Sequence, residues 1–350
     1  MKNILKNTLL ILVSIMLFNC ADDDNNENTG QNDIIGEWRL TSGSFYNGAD
    51  KFAFFNEDNT LDILRETTDN FKGNYHTSYT IDGSEITIEG LSQSGSITYT
   101  YILENGILAL TSEFTSATLE KVASNTPILS DWITPLEIQE EGNAPWEGSV
   151  DIAFNYNKTQ LLYGTTNGGD YIALISPTTF KEVGQITTTR AAYAVEVEKY
   201  SGSDKYIFQS DNGFDRFYGY FENINTLGVT SAALGSWIKG LASVNNTQIW
   251  VASSNQARLY LYNYFTMEIE DSIALEVQPK GLDYQNGLLY VCDGNFLHKC
   301  QTTPNFEVIE SYGISNFKIK GAAFDGTNFW VNGYNSNEEV YKIIKTNLTL

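Results

Sequence analysis

The sequence predicts an all-β protein in which a small antiparallel barrel is followed by a five-bladed β-propeller. The 350 residues include 21 tyrosines and 19 phenylalanines but only 6 prolines and 3 methionines. Gly, Asn, Asp and Ser recur between short apolar runs, which is typical of strands joined by tight turns. In the second half of the chain, an aromatic residue recurs inside an apolar triplet at the period of a propeller blade.

The first folded segment extends from residue 33 to residue 122. Its short alternating runs form pairs, two of which turn at Asp82-Gly83 and at Asn105-Gly106, both strong hairpin signals. Gly36-Glu37-Trp38 matches the Gly-x-Trp of the first lipocalin strand, and the segment resembles the lipocalin-like domains of Bacteroidota lipoproteins. Because it is only about half as long as a lipocalin, and small barrels fill their interior with side chains, we expect Trp38 to belong to a packed core.

A repeat follows a linker at residues 122–130 and occupies residues 131–350. Its aromatic residues are separated by 45, 42, 40 and 40 positions, and they are Tyr163, Phe208, Trp250, Tyr290 and Trp330. Four short strands fit into each unit of this length, so five aromatic strands predict five blades. A sixth blade hidden in one of the two longer first units is the alternative.

A Lys-Gly pair starts each of the last three units, at Lys239-Gly240, Lys280-Gly281 and Lys320-Gly321. With the polar turn and aromatic strand that follow, this phrase resembles blades of the NHL-repeat and lactonase-like propellers. The resemblance implies the architecture and leaves the function open, because that fold supports binding proteins and enzymes alike.

The last unit is one strand short, and residues 133–138 read as a strand that precedes the first unit and has no partner of its own. We expect this segment to pair with the strand near residues 340–344 and to close the ring, because closure removes open sheet edges.

The N-terminus carries the features of a secretion signal that ends at a cysteine. Lys2 and Lys6 precede an apolar core at residues 9–18, which is too short to span a bilayer. Cys20 ends the run Leu17-Phe18-Asn19-Cys20, which resembles the lipobox of bacterial lipoproteins, although Asn19 stands where Gly or Ala is commoner. The resemblance implies cleavage after residue 19, acylation of Cys20 and attachment to the outer membrane. A plain signal peptide with an incidental cysteine is the alternative.

Residues 20–32 are polar and acidic, so we expect a flexible tether. The acidic residues after Cys20 also resemble the surface-export signal of Bacteroidota lipoproteins, and whether the protein faces the cell surface or the periplasm stays open. The net charge of the chain is -22. This charge makes nucleic acid a poor partner, so the expected partners are the membrane, through the lipid, and a glycan, small-molecule or protein ligand.

Two further cysteines lie on a predicted hairpin that turns at Gly294-Asn295. In that register Cys292 faces Leu297 and Cys300 points to the opposite face, so we expect two free, buried thiols rather than a disulfide. For the same reason His298 and the two cysteines do not converge on a zinc ion.

The candidate ligand site lies at the channel mouth where the Lys-Gly pairs begin. Lys239, Lys280 and Lys320 occupy equivalent positions in consecutive blades, so we expect their side chains to surround one opening that binds an anion or a carboxylate. Trp146 and Trp237, near the start of the first and third units, would add a stacking surface for a sugar. Solvated or ion-paired lysines and structural tryptophans are the alternative.

An enzyme is the second function class. Asp151, Glu196 and Asp283 fall on predicted innermost strands and would supply oxygen ligands to a metal, or an acid/base pair, in a hydrolase or lyase of the channel. The acids do not repeat from unit to unit, and no Ser-His-Asp or zinc signature is present in the sequence. The sequence therefore favours a binding or scaffold lipoprotein without a cofactor or catalytic residues.

Overall fold

The computed structural model describes residues 33–45, 48–92, 95–123, 131–148, 151–165, 169–198, 206–211, 215–221, 226–235 and 237–350. The predicted signal peptide, the lipidation candidate Cys20 and the predicted acidic tether lie outside the described residues. No helix in the described part of the chain is long and apolar enough to cross a membrane.

The N-terminal segment is a closed barrel of eight antiparallel strands, in which β1 pairs with both β2 and β8. The strands are β1 (Gly36–Gly43), β2 (Asp50–Phe55), β3 (Thr60–Glu66), β4 (Lys72–Asp82), β5 (Glu85–Ser92), β6 (Gly95–Glu104), β7 (Ile107–Thr111) and β8 (Ser116–Lys121). The turn between β6 and β7 consists of Asn105 and Gly106, both with positive φ (52° and 76°), as a tight hairpin turn requires.

The barrel interior is filled by side chains. Trp38 is fully buried and donates its indole N–H to the Ile34 carbonyl oxygen at 2.7 Å. Phe55 packs edge-on against Tyr79, and Tyr99 donates its hydroxyl to the Phe45 carbonyl oxygen at 2.7 Å. The expectation that Trp38 belongs to a packed core is confirmed.

Two short strands, β9 (Thr134–Pro135) and β10 (Ile138–Asn143), follow the barrel, and the remaining strands form the blades. The first two blades are β11 (Ile152–Phe154), β12 (Leu161–Gly164), β13 (Tyr171–Ile175) and β14 (Glu182–Thr187), then β15 (Ala192–Val197), β16 (Tyr206–Asp211), β17 (Phe217–Phe221) and β18 (Leu227–Thr230). The third and fourth are β19 (Ile238–Ser243), β20 (Gln248–Ser253), β21 (Arg258–Asn263) and β22 (Glu268–Ala274), then β23 (Gly281–Gln285), β24 (Leu288–Cys292), β25 (Leu297–Gln301) and β26 (Glu307–Gly313). The fifth is β27 (Phe317–Phe324), β28 (Phe329–Asn335) and β29 (Val340–Thr346), completed by β10.

The described strands of this region therefore form five blades, as the aromatic period predicts, and the six-bladed alternative is wrong. Each of the five repeated aromatic residues lies on the second strand of its blade and is at most 3% exposed. An aromatic side chain at this position packs between neighbouring blades in every repeat. The spacing of the aromatic residues along the sequence therefore matches the length of one blade.

The strand that closes the ring overlaps the predicted segment 133–138 only at Ile138. β10 pairs with β29, with Ile138 opposite Thr346 and Asn143 opposite Lys342. Within the predicted segment, Thr134 and Pro135 instead add in parallel to the edge of the fourth blade. The outermost strand of a blade is exposed, so the closing strand is polar, and the prediction that residues 133–138 close the ring was wrong in its bounds.

The closing strand is also held by ion pairs. Lys342 Nζ lies 2.9 Å from Glu141 Oε1 and 2.6 Å from Glu338 Oε1, and Lys345 Nζ lies 3.2 Å from Glu140 Oε1. Two of these three pairs join residues about 200 positions apart.

The barrel packs against the fourth blade. Phe71, in the turn between β3 and β4, is 2% exposed and packs edge-on against His298 with ring centroids 4.8 Å apart. Trp132, which precedes β9, donates its indole N–H to the Gly73 carbonyl oxygen at 3.1 Å and packs edge-on against Phe52. These contacts bury an aromatic side chain of the barrel in the propeller, so the two units are joined by a packed interface.

The cysteine prediction is confirmed. Cys292 is paired with Leu297 and Cys300 with Leu289, and both thiols are free and fully buried. Burial raises the pKa of both thiols well above the usual value, so these cysteines behave as apolar core residues.

Candidate functional site

The first strand of each blade lies next to the channel, and in three consecutive blades a Lys-Gly pair lies at or near the start of that strand. The glycines approach one another closely: a Cβ added to Gly281 would lie 2.6 Å from both Gly321 Cα and the Lys320 carbonyl oxygen. A Cβ added to Gly240 would lie 2.9 Å from the Gly281 carbonyl carbon. Only glycine allows the backbones of these strands to come so close, so the glycine of the repeated pair is structural.

The lysines of the same pairs come together. The positive charges of Lys280 and Lys320 both act on the amine of Lys239. Lys280 Cε and Lys320 Nζ lie 3.5 Å and 3.7 Å from the same point, the position of a Cβ on Gly294. We refer to Lys239, Lys280 and Lys320 together as the lysine mouth.

Crowding of these cations changes their protonation. Burial, together with the positive charges of Lys280 and Lys320, lowers the pKa of Lys239 to about 8. Burial also lowers the pKa values of Lys280 and Lys320, and the Lys280 charge adds to the effect on Lys320. All three amines are therefore held in a place that disfavours their charged forms.

Aromatic rings lie beneath one of the three amines. Lys239 Nζ lies 4.9 Å from the ring centre of Trp237 and 5.3 Å from that of Tyr193. Trp237 is 40% exposed and has a positive φ of 64°, which is uncommon for a bulky residue. Tyr193 lies in the second blade at the position where the later blades have lysine. The sequence analysis did not select Tyr193 as a site residue, although this equivalence in the repeat could have identified it.

An acid of the fourth blade faces the lysine mouth. The negative charge of Asp293 opposes the lowering of the pKa values of Lys280 and Lys320. Burial works against its charged form, but His298, whose Nε2 lies 3.3 Å from Asp293 Oδ2, and the amides of Phe296 and Asn295 hold the pKa of Asp293 below its usual value. Sequence reasoning placed Asp293 only at the end of the strand before the Gly294-Asn295 turn and therefore missed this counter-charge.

Trp146 is placed elsewhere. Its indole N–H donates to Glu182 Oε2 at 3.0 Å, its ring packs edge-on against Tyr171, and its carbonyl oxygen accepts the Tyr163 hydroxyl at 3.0 Å. These contacts hold Trp146 against the second to fourth strands of the first blade. Of the two tryptophans suggested by the sequence, only Trp237 contacts a lysine of the mouth.

Two of the candidate acids accept backbone amides inside the ring. Asp151, which is fully buried, accepts the Leu241 N–H on Oδ2 and the Ile152 N–H on Oδ1, both at 3.1 Å. Glu196 accepts the Ser243 N–H on Oε2 at 3.0 Å. Leu241 and Ser243 lie on β19, the innermost strand of its blade, so both carboxylates satisfy amides that this strand directs away from its own sheet.

The third candidate acid lines a cavity at the other end of the innermost strands. Asp283 Oδ1 accepts the Tyr284 N–H at 2.7 Å and the Gln285 side-chain amide at 2.8 Å. The cavity has a volume of about 190 Å³, and its wall includes Phe154, Glu196, Glu198, Asp283 and Phe324. Among the described residues, no group of three or more His, Cys, Asp or Glu side chains is arranged to hold a metal ion.

The chain is thus an all-β protein in which an eight-stranded barrel is joined to a five-bladed propeller. No protein-family model and no curated protein sequence matches it. Similar solved structures include the Myxococcus xanthus glutaminyl cyclase, with 11% identity and a TM-score of 0.48 over 61% of this chain and 97% of that one. A luciferin-regenerating enzyme is similar over 59% of this chain and 94% of its own, with 11% identity and a TM-score of 0.41. The Neurospora crassa Pan2 WD40 domain is similar over 89% of this chain and 90% of its own, with 8% identity and a TM-score of 0.36. Likeness at this level says nothing about activity.

Proposed function

We propose that this protein is a binding protein of the bacterial cell envelope, anchored by a lipid on Cys20, which holds a small anionic ligand in the lysine mouth. The observation that carries the proposal is the convergence of Lys239, Lys280 and Lys320 in a protein of net charge -22. Neighbouring ammonium groups repel each other by about 1 kcal/mol per pair at solvent-exposed separations, and a bound anion removes that cost.

The surroundings of the mouth favour a carboxylate on a small organic molecule. Trp237 and Tyr193 offer exposed and half-buried ring surface next to the amines, which suits the flat or apolar part of an acidic sugar or an organic acid. Ser254 Oγ and Gln278 Oε1 lie 3.1 Å and 3.3 Å from Lys280 Nζ and supply further polar groups beside it. The acids Asp151 and Glu196 already accept backbone amides, which favours the binding interpretation over a metal-dependent hydrolase.

We expect the double variant Lys280→Ala/Lys320→Ala to bind galacturonate or citrate about 30-fold more weakly than the wild type at low salt, because two charge contacts of about 1 kcal/mol each are lost. Calorimetric titration at two salt concentrations measures this, and the wild-type affinity is expected to fall as salt rises. Lys181, an exposed lysine between β13 and β14, provides the control Lys181→Ala, which keeps wild-type affinity. Equal affinity of the double variant and the control would contradict the proposal.

The anchoring part of the proposal has its own test. We expect Cys20→Ser to abolish membrane retention almost completely while leaving the folded domains intact, because no acyl chain is then attached and residues 20–32 contain no basic patch. Detergent phase partitioning measures retention, and circular dichroism of the released protein checks its fold. A variant that still partitions with the detergent phase would place the anchor elsewhere.

A further inference from the structure

A fourth lysine lies beside the lysine mouth, on the innermost strand of the fifth blade. Lys318 precedes Lys320 by two positions on β27, and Ile319 between them is fully buried. Because side chains alternate between the two faces of a strand, Lys318 projects from the face opposite to Ile319, and it is exposed. Burial lowers the pKa of Lys320, and the charges of Lys280 and Lys318 add to this effect. The positive charge of the mouth therefore continues to Lys318.

Two tyrosines extend from Lys318 across the same blade. Tyr334 on β28 lies directly opposite Lys318, and Tyr341 on β29 lies directly opposite Tyr334. Residues that are directly opposite in antiparallel strands project from the same face of the sheet. The ring centres of Tyr334 and Tyr341 are 5.2 Å apart, and both side chains are half-buried. One lysine and two rings thus form a row on one face of the blade, which we call the tyrosine row.

The directions of the strands place the tyrosine row at the mouth end of the blade. β28 ends at Asn335 and β29 begins at Val340, so Tyr334 and Tyr341 lie at the end of the blade where β27 begins. Burial raises the pKa of Tyr193, and nearby Tyr341 contributes to the effect. Since the Tyr193 ring centre lies 5.3 Å from Lys239 Nζ, the row adjoins the ring surface of the mouth.

We propose that Lys318, Tyr334 and Tyr341 form a second subsite next to the lysine mouth, and that the ligand is a short acidic oligosaccharide rather than a single sugar or a small organic acid. This proposal rests on the proposed function, since the carboxylate of one sugar would bind in the lysine mouth. The next sugar would place its carboxylate at Lys318 and its flat C–H face on the tyrosine rings.

The alternation of ammonium groups and rings favours a sugar chain over an acidic peptide. Each uronate residue carries both a carboxylate and a flat apolar face on one rigid ring, so a single residue satisfies a lysine and an aromatic ring together. A peptide carries its carboxylates on flexible side chains, whose ordering costs conformational entropy, and these side chains have no flat face for the tyrosines.

The outer end of the tyrosine row limits the length of the ligand. The turn between β28 and β29 contains two acids: Glu338 Oε1 lies 2.6 Å from Lys342 Nζ, and Glu339 is exposed. The negative charge of Glu339 would repel a further uronate beyond the second subsite. The site therefore suits a chain of a few sugars rather than a long polymer.

The test compares galacturonate with trigalacturonate by calorimetric titration at low salt. We expect the trimer to bind the wild type about tenfold more tightly, because the second subsite adds a charge contact and ring contacts. Lys318→Ala and Tyr341→Ala are each expected to weaken trimer binding about fivefold while leaving galacturonate binding unchanged. Phe265→Ala, at an exposed ring in the turn between β21 and β22 at the other end of the blades, is the control and should bind both ligands as the wild type does.

Equal affinity of the wild type for the two sugars would overturn the second subsite, as would a Lys318→Ala variant that binds the trimer as tightly as the wild type. Because Lys318 is exposed, this variant tests the proposal even if Tyr341→Ala does not fold. N-acetylated, C-amidated triglutamate has the same number of carboxylates as the trimer, and equally tight binding of this peptide would overturn the choice of an oligosaccharide.

Galacturonate binding on the same preparation separates this proposal from the proposed function. If galacturonate binds and Lys280→Ala/Lys320→Ala weakens it, but the trimer gains nothing, only the second subsite fails. If the wild type binds neither sugar, the second subsite fails together with the lysine mouth as a site for acidic sugars.

Discussion

Replacing Gly281 by alanine is expected to lower the free energy of unfolding by about 3 kcal/mol, because the added methyl group meets backbone atoms that cannot move away. The new Cβ would lie 2.6 Å from Gly321 Cα and from the Lys320 carbonyl oxygen, and 2.8 Å from Asp151 Oδ1. Gly321 and Lys320 lie on β27 and Asp151 directly precedes β11, so moving the methyl group away from one of these segments brings it toward the other. Urea unfolding followed by fluorescence measures the effect.

Gly184→Ala is the matched control for this prediction. Gly184 lies on β14, its φ is not positive, and an added Cβ would meet only Leu174 side-chain atoms at 3.5 Å and 4.0 Å, which is ordinary contact. We expect this variant to be as stable as the wild type or slightly more stable, because alanine restricts the unfolded chain. Similar unfolding midpoints for the two variants would show that the innermost strands do not approach as described.

The second large effect is expected at Asp151, whose replacement by asparagine should change how stability depends on pH. Burial, with a further contribution from the charges of Glu196 and Asp283, raises the pKa of Asp151 well above its usual value. The folded state therefore holds the proton more tightly than the unfolded chain does. The stabilisation that comes from this tighter proton binding is complete at pH values below the unfolded pKa of about 4. It is lost as the pH rises toward the folded pKa, by about 1.4 kcal/mol per pH unit in that interval.

Asp151→Asn carries no titrating proton, so the wild type is expected to lose stability relative to this variant as the pH rises from about 4. Urea unfolding at several pH values gives the two curves. Asp170→Asn, at an exposed aspartate of the propeller, is the control and should follow the wild-type curve. Parallel curves for the wild type and Asp151→Asn would mean that Asp151 is not desolvated in the folded protein.

Elements whose partners are near in sequence were predictable. The turn at Asn105-Gly106 and the pairing of Cys292 with Leu297 depend on a few consecutive residues, and both are found as expected. The blade count depends on a repeated aromatic position, which every neighbouring pair of blades requires for packing. The equivalence of the Lys-Gly pairs likewise places three lysines at one mouth through rotation about the ring axis.

Elements that depend on distant contacts were predicted poorly. The closing strand β10 is polar and exposed, so its sequence carries no apolar signal, and its ion pairs with β29 join residues about 200 positions apart. Trp146 was placed near the mouth from its position in the repeat, but the chain crosses from β10 to the first blade there, and its ring packs on the outer strands instead. The sequence marks Asp293 only as the last residue of a predicted strand, and its effect on the lysines exists only through space.

By itself, the sequence determined an all-β chain with a barrel, five blades and a lysine at the same place in three of them, because these features come from local turn chemistry and from a period that repeats. Only the tertiary structure decided that Lys239 lies over the rings of Trp237 and Tyr193, that Asp293 favours the charged forms of Lys280 and Lys320, and that Asp151 and Glu196 bind the amides of β19. These relations are set by distances of a few ångströms between strands of different blades. Such distances follow from how closely the glycines let the innermost strands approach, and no pattern along the chain encodes them.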